Sequence, residues 1–266
     1  MADSLHQSLA KRLRRHLGPL LRRVIPSRLP MNGPYGSYGD ALADASGYDT
    51  PLVAQQVEDA TRAVLDGRAV YERDGTAFPC RPELAMHGVL RQVVTPQATI
   101  ADFGGGLGGL YINAPELFPE GCRRLVIEQA SMVEAGRRIC ERYALGLHFL
   151  DAAADPLPTT DVLVLSSVLQ YLPDPWQQLA RLLDQCRPEA IVLDRTSVRR
   201  GPSLWYLQTN PGYYREEVTY PIQVLEERRL LAAFRGYRPV SRWRNSFDAG
   251  RPRHIGVLLI REQQTT

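Results

Sequence analysis

Residues 99–109, Thr-Ile-Ala-Asp-Phe-Gly-Gly-Gly-Leu-Gly-Gly, constrain this chain more than any other stretch. A short apolar run ends in Asp102, and a glycine-rich turn follows at once. Gly104, Gly106 and Gly109 satisfy G-x-G-x-x-G, and Asp102, Gly104, Gly106 and Gly108 satisfy D-x-G-x-G-x-G. Further strand-like runs follow at 123–128, 147–150, 161–165, 190–194 and 255–260, with helical runs at 131–144 and 175–186 separating the early ones. Short buried strands alternating with helices predict an α/β fold, a Rossmann-like, doubly wound, mainly parallel sheet. Pro115, seven residues past Gly108, opposes a long helix after the turn.

Upstream of the turn the pattern is helical. Leu5, Leu9, Leu13, Leu17 and Leu20/Leu21 recur at helical spacing with arginines between them. Seven basic residues against Asp3 give residues 1–30 a charge of +6, so the rest of this +3 chain carries −3. The arm reads as a basic amphipathic helix that docks either on a membrane surface or on its own domain, a protein partner or a second copy of the chain. Residues 30–50 read as a loop, 51–67 as a helix opened by Pro51 and stopped by Gly67, and 81–94 as a short helix. The expected organisation is an arm at 1–30, a helical cap at 31–97 and an α/β domain at 98–266.

Composition removes several chemistries. Of 32 basic residues only Lys11 is lysine, so Schiff-base and pyridoxal-phosphate chemistry lack their pocket lysine, and the Gly-Lys-Ser/Thr of a P-loop is missing. Cys80, Cys122, Cys140 and Cys186 are scattered and predict no metal site; they read as reduced thiols in a cytoplasm. No apolar run spans a bilayer, and a mildly acidic body argues against nucleic acid as partner.

In such sheets ligands bind at the carboxyl ends of the strands, near the switch in strand order. A carboxylate beside the glycine turn repels a diphosphate and suits a ligand that is positive there and carries no phosphate. S-adenosylmethionine (SAM), with an amino group, a sulfonium and a ribose diol, fits. Glu128, 20 residues past Gly108, is placed to accept from two ribose hydroxyls, or is a surface acid. Asp151 either meets an adenine amino group or caps a turn with Asp155. Gln129 and Ser166 complete the candidate cofactor set. Asp194 and Arg195 either pair with each other or offer the guanidinium to an anionic substrate. Gln170, Tyr171, Arg195 and Tyr220 are the candidate catalytic side chains, and Gln208, Tyr213 and Tyr214 the candidate substrate contacts. The aromatic segment at about 199–222 reads as a lid or substrate-side insertion, or as an aromatic-rich surface hairpin. His148 and His254 read as core histidines within strands.

These residues resemble the class I SAM-dependent methyltransferases, through Asp102-x-Gly104-x-Gly106-x-Gly108 and the Leu-Pro-Asp-Pro stretch ending at Pro175. More narrowly, the chain resembles a methyltransferase family encoded in bacterial polysaccharide and natural-product gene clusters. That likeness is carried by Gly47-Tyr48-Asp49, Tyr71-Glu72-Arg73-Asp74 with Phe78, Glu128-Gln129, Ser166 to Leu172, Asp194-Arg195-Thr196 and Tyr220-Pro221. The resemblance implies SAM held by Asp102, the glycines, Glu128 and the Asp151 region. It implies methyl transfer to a hydroxyl or amine of a small molecule, a sugar or secondary metabolite. Two other readings stay open: another displacement on the same scaffold, such as ring closure within one substrate, and a non-catalytic SAM-binding partner subunit.

Overall fold

A computed structural model describes residues 30–47, 51–210, 217–244 and 252–262. The basic arm, Tyr48, Asp49, Tyr213 and Tyr214 lie outside the described residues.

The apolar runs form the parallel core of the sheet. β4 (Thr99–Phe103), β5 (Arg123–Glu128), β6 (Leu147–Asp151), β7 (Val162–Ser166) and β8 (Ala190–Arg199) are parallel, in the spatial order 6-5-4-7-8. Their β-branched and leucine side chains are buried on both faces, between two apolar clusters. The chain leaves β4 toward β5 and β6 on one side, then crosses back to β7 and β8 on the other. The switch point therefore falls between the ends of β4 and β7, where Asp102 is the penultimate residue of its strand and Ser166 the last of its own. The expected doubly wound Rossmann-like sheet is present.

Helices follow from period and caps. The helix at Pro175–Cys186 has proline in its first turn, and the Asp174 carboxylate accepts from the Trp176 and Gln177 N–H groups at 3.1 and 3.0 Å. Asp174→Ala should cost about 1 kcal/mol, read as a lower urea midpoint with an unchanged slope. The helix after the glycine turn spans only Gly109–Asn113, and Pro115 starts a separate 3-10 turn, as the proline demands.

Several segments differ from expectation. Residues 30–50 hold a strand, β1 (Met31–Tyr35), and a helix (Tyr38–Ala43) capped by Ser37. The cap region also contains a hairpin, β2 (Tyr71–Arg73) and β3 (Thr76–Phe78). Its two-residue turn is Asp74-Gly75, both at positive φ, the geometry whose twist matches that of the flanking strands. Much of the segment expected as a lid is sheet: β8 runs on to Arg199, followed by β9 (Leu204–Thr209) and β10 (Thr219–Glu226). Trp205 and Leu207 are buried, which is why an aromatic-rich segment pairs rather than loops. Two later strands, β11 (Tyr237–Arg244) and β12 (Arg253–Arg261), close the far edge, with β12 antiparallel to β8. His148 is exposed on edge strand β6 rather than in the core, whereas His254 is buried beside Ser197 Oγ at 2.8 Å.

The ribbon β1-β9-β10 positions the site. One edge of β8 bonds β12, and residues 190–194 of the other edge bond β7. Beyond the end of β7, β10 takes over that edge at Val198 and Arg199. The ribbon thus stands over the carboxyl end of β7. On the other flank the helix Pro51–Leu65 packs over the glycine turn, through Val53, Val57 and Leu107.

A candidate ligand crevice at the strand ends

The glycine turn is built around close approaches. Gly104 has φ +73°, and a Cβ there would lie 2.4 Å from a Val168 methyl, so glycine brings the turn against the β7 loop. Gly106 has φ +57° and nothing within 4 Å of a Cβ position, leaving open space over the turn. Asp102 lies beneath: a Cβ on Gly105 would be 2.5 Å from its Oδ2.

Asp102 is 4% exposed, and its carboxylate has no hydrogen-bond partner among the described residues. Burial, and then the nearby Glu128 carboxylate, lift its carboxyl to about 7, with Arg195 pulling the other way. Glu128 sits at the end of the next strand. Its Oε1 accepts from Gly106 N–H at 3.1 Å and its Oε2 from Gln129 N–H at 2.8 Å. Burial raises its carboxyl, and these two N–H donors lower it. Each oxygen keeps a lone pair for a further donor. Asp151 does not share this arrangement: its Oδ1 accepts from Ala153 N–H at 2.8 Å and caps a local turn, while Asp155 accepts from Asp151 N–H. Gln129 is exposed at the start of its helix.

Across the switch point the backbone is strained. Ser167, just past the end of β7, and Arg195, inside β8, have φ +57° and +47°. Arg195 lies in a β-bulge: Leu193 opposes Val257 and Thr196 opposes Ile255, so Asp194 and Arg195 together face Gly256. Four contacts hold the bulge. Ser167 N–H donates to Asp194 O at 2.9 Å, and Gln170 Nε2 donates to Arg195 O at 3.0 Å. Trp243 Nε1 donates to Asp194 Oδ1 at 2.7 Å, and Ser166 Oγ to Asp194 Oδ2 at 3.3 Å. The indole reaches Asp194 because Gly256 has no side chain in its way.

The bulge aims the guanidinium over β7. Arg195 Nε and Nη2 lie 3.4 Å from Ser166 Oγ, long for hydrogen bonds, and Nε is 3.6 Å from Asp194 Oδ2. Nη1 has no partner among the described residues. The guanidinium thus lies beside Asp194, the first of the two expectations for Arg195.

Gln170 is fully buried and serves the bulge, with its Oε1 unpartnered among the described residues. Tyr171 meets Tyr220 edge-on at 5.6 Å, and Gln208 Nε2 donates to Tyr220 Oη at 2.8 Å. Gln208 Oε1 is buried and unpartnered among the described residues. Gln208 and Tyr220 are cross-strand neighbours on the ribbon, which brings them to the β7 end.

Two contributors were not read from the sequence as site residues. Trp243 locks the bulge, as above. Glu72, on the hairpin, is buried; its Oε1 accepts from Gly75 N–H at 3.0 Å, and its backbone is clasped by Asn113 through two 2.9 Å bonds. Its Oε2 lies beside the start of the helix that follows the glycine turn, 3.4 Å from a Cβ position on Gly109. Burial lifts this carboxyl to about 7 against the pull of Gly75 N–H. The Asp74-Gly75 turn signal was legible; that the hairpin would reach the glycine turn was not.

No family model matches the chain, and no curated protein matches it. Among solved structures, it is similar to a Burkholderia thailandensis 1,6-didemethyltoxoflavin-N1-methyltransferase solved with 1,6-didemethyltoxoflavin and S-adenosylhomocysteine, at 15% identity over 88% of this chain and 94% of that one, with TM-score 0.49. It is similar to the glycopeptide N-methyltransferase MtfA complexed with S-adenosylhomocysteine, at 14% identity over 66% of this chain and 88% of that one, with TM-score 0.48. It is also similar to a SAM-dependent methyltransferase from Aquifex aeolicus, at 17% identity over 78% of this chain and 96% of that one, with TM-score 0.48.

Proposed function

We propose that this crevice binds SAM and that the protein transfers a methyl group to a hydroxyl or amine of a small molecule, a sugar or secondary metabolite of a bacterial biosynthetic pathway. One observation carries the reading: Asp102, a buried carboxyl without a partner among the described residues, lies beneath a glycine turn whose outer side is open. A buried carboxyl left unpaired is costly unless a donor or a cation completes it. A diphosphate would add negative charge at that point; an ammonium and a sulfonium supply the missing complement. The residues present therefore fit the group.

When bound, SAM supplies a methyl carbon on a positively charged sulfur, with a neutral thioether as leaving group. The chain's own contribution is alignment. Glu128, steadied by the Gly106 and Gln129 N–H groups, offers its free lone pairs to a diol. The rim of half-buried Tyr171 and Tyr220 and buried Gln208 excludes water on the acceptor side and orients the incoming nucleophile. Glu72 is a carboxyl held near neutral pK beside the turn, able to accept the proton an attacking hydroxyl releases.

Calorimetric titration with S-adenosylhomocysteine tests the reading. Micromolar binding is expected, weakened about tenfold by Glu128→Ala. Absence of heat and of any thermal shift with the wild-type protein would remove the cofactor assignment. Incubation with methyl-labelled SAM and candidate metabolites then tests transfer: label in the product supports it, product without label contradicts it.

A further inference from the structure

A separate cleft of about 290 Å³ lies at the far edge of the sheet, across β8 from the glycine turn. Ligand sites run from roughly 300 to 1,000 Å³, so a small molecule fits it. Topology assembles its wall. Arg253 opens β12, Arg242 and Arg244 lie at the end of β11 paired to it, and Glu227 opens the helix Glu227–Ala233 that follows β10. Trp243 and Ile255 complete the lining. Glu227 is the one acid among these residues, and its side chain is only 18% exposed. Its Oε1 accepts from Arg242 Nη2 at 2.6 Å, and its Oε2 accepts from Arg253 Nη2. The acid thus steadies two guanidiniums through one nitrogen each, while both stay partly exposed and keep further N–H groups for a ligand. Arg244 is exposed and makes no ion pair among the described residues.

Three guanidiniums against one carboxylate leave the cleft at +2, whereas the chain beyond residue 30 carries −3. The positive excess is therefore local, not a general basicity of the body. A carboxylate ligand would answer half of it. A phosphate monoester carries about −1.5 to −2 at pH 7 on three acceptor oxygens, and guanidinium forks suit those oxygens. The phosphoryl group would fill only part of the volume, and Trp243 and Ile255 offer an apolar wall to the rest of a ligand. The geometry points to a phosphoryl-binding site, with Arg242, Arg244 and Arg253 on the oxygens and Trp243 and Ile255 against the organic part of an ester. The site stands independently of the cofactor reading above. The phosphoryl group has two sources, a small-molecule ester or free inorganic phosphate, and the test separates them.

The probes are phenyl phosphate, whose ring can lie against Trp243, and inorganic phosphate. Both are titrated calorimetrically into the full chain at ~0.1 M salt, where charges more than ~10 Å apart are largely screened. The variants are Arg244→Gln, which breaks no ion pair among the described residues, and Arg253→Gln. Arg238→Gln, exposed on the same strand outside the cleft, is the control. Wild-type protein should bind phenyl phosphate with a Kd of about 0.1 mM. Arg244→Gln and Arg253→Gln should each weaken it at least about tenfold, and Arg238→Gln should leave it within about twofold. Phenyl phosphate at least about tenfold tighter than inorganic phosphate assigns the cleft to an ester; equal affinities assign it to free phosphate. Thermal unfolding of each variant shows whether the fold is intact, and Arg244→Gln alone decides if Arg253→Gln is not. No saturable binding of either probe by the wild-type protein overturns the site. So does Arg244→Gln binding as tightly as wild type, or an equal loss in Arg238→Gln, which would mean surface charge only.

Discussion

Asp102→Asn should make the ligand-free protein more stable at pH 8 while weakening S-adenosylhomocysteine by about a hundredfold. The folded Asp102 carboxyl holds its proton up to about 7 because it is buried beside Glu128. In the unfolded chain the same group ionises near ~4. The folded state therefore binds more protons between those values, and stability falls as pH rises through them. At pH 8, keeping the group ionised costs the fold on the order of 4 kcal/mol. An asparagine returns part of this, less about 1–3 kcal/mol for a buried amide that lacks partners. Urea unfolding at pH 8 should show the variant ahead by about 1–3 kcal/mol. At pH 5 the advantage should vanish or reverse. Glu72 and Glu128 are raised by burial too, so the variant should keep part of the wild-type pH slope. A variant less stable than wild type at both pH values would mean that Asp102 serves the fold rather than a ligand.

Gly256→Ala should destabilise the protein by about 3 kcal/mol, a fall in Tm of roughly 6–12 °C for a chain of this size. A Cβ at this position would lie 1.9 Å from the Trp243 ring. The ring must move, and with it goes the indole N–H that Asp194 accepts at 2.7 Å inside the bulge. The cost combines overpacking with a lost hydrogen bond to a charged group. Trp243→Phe removes the bond and part of the ring without overpacking, and should cost about 1.5–3 kcal/mol. Both variants should loosen the bulge at Arg195. Equal Tm values for Gly256→Ala and wild type would show that the bulge does not depend on this contact.

The parts of the fold that period and punctuation specify were legible. β4, β5 and the helix Pro175–Cys186 match their expected bounds because each is an apolar pattern ended by an acid, a glycine or a proline. β11 was not legible. It is an edge strand whose residues 238–242 are exposed and include Pro239, so no alternation marks it. β9 and β10 were read as a lid because Trp205, Tyr206 and Tyr220 in a proline-bearing stretch resemble a surface loop. Only their pairing with β1 and β8 makes them sheet.

Within the candidate site, Glu128 and Ser166 end their strands and Asp102 is one residue short of its strand's end, as topology leads one to expect, whereas Arg195, expected at the end of a strand over 190–194, lies inside β8, which runs on to Arg199. What topology does not give is conformation and reach. The left-handed backbone at Arg195, the role of Gln170 in holding it, and the cap role of Asp151 depend on hydrogen bonds between segments. Glu72 is 30 residues upstream of Asp102 and reaches the helix after the glycine turn through the clasp with Asn113.

Parallel calorimetric titrations of the wild-type protein with S-adenosylhomocysteine and with NAD address the electrostatics of the crevice most directly. The unpaired acid beneath the glycine turn predicts saturable micromolar binding of the first and binding of the second at least about a hundredfold weaker. Binding of NAD as tight as, or tighter than, that of the thioether nucleoside would contradict the account.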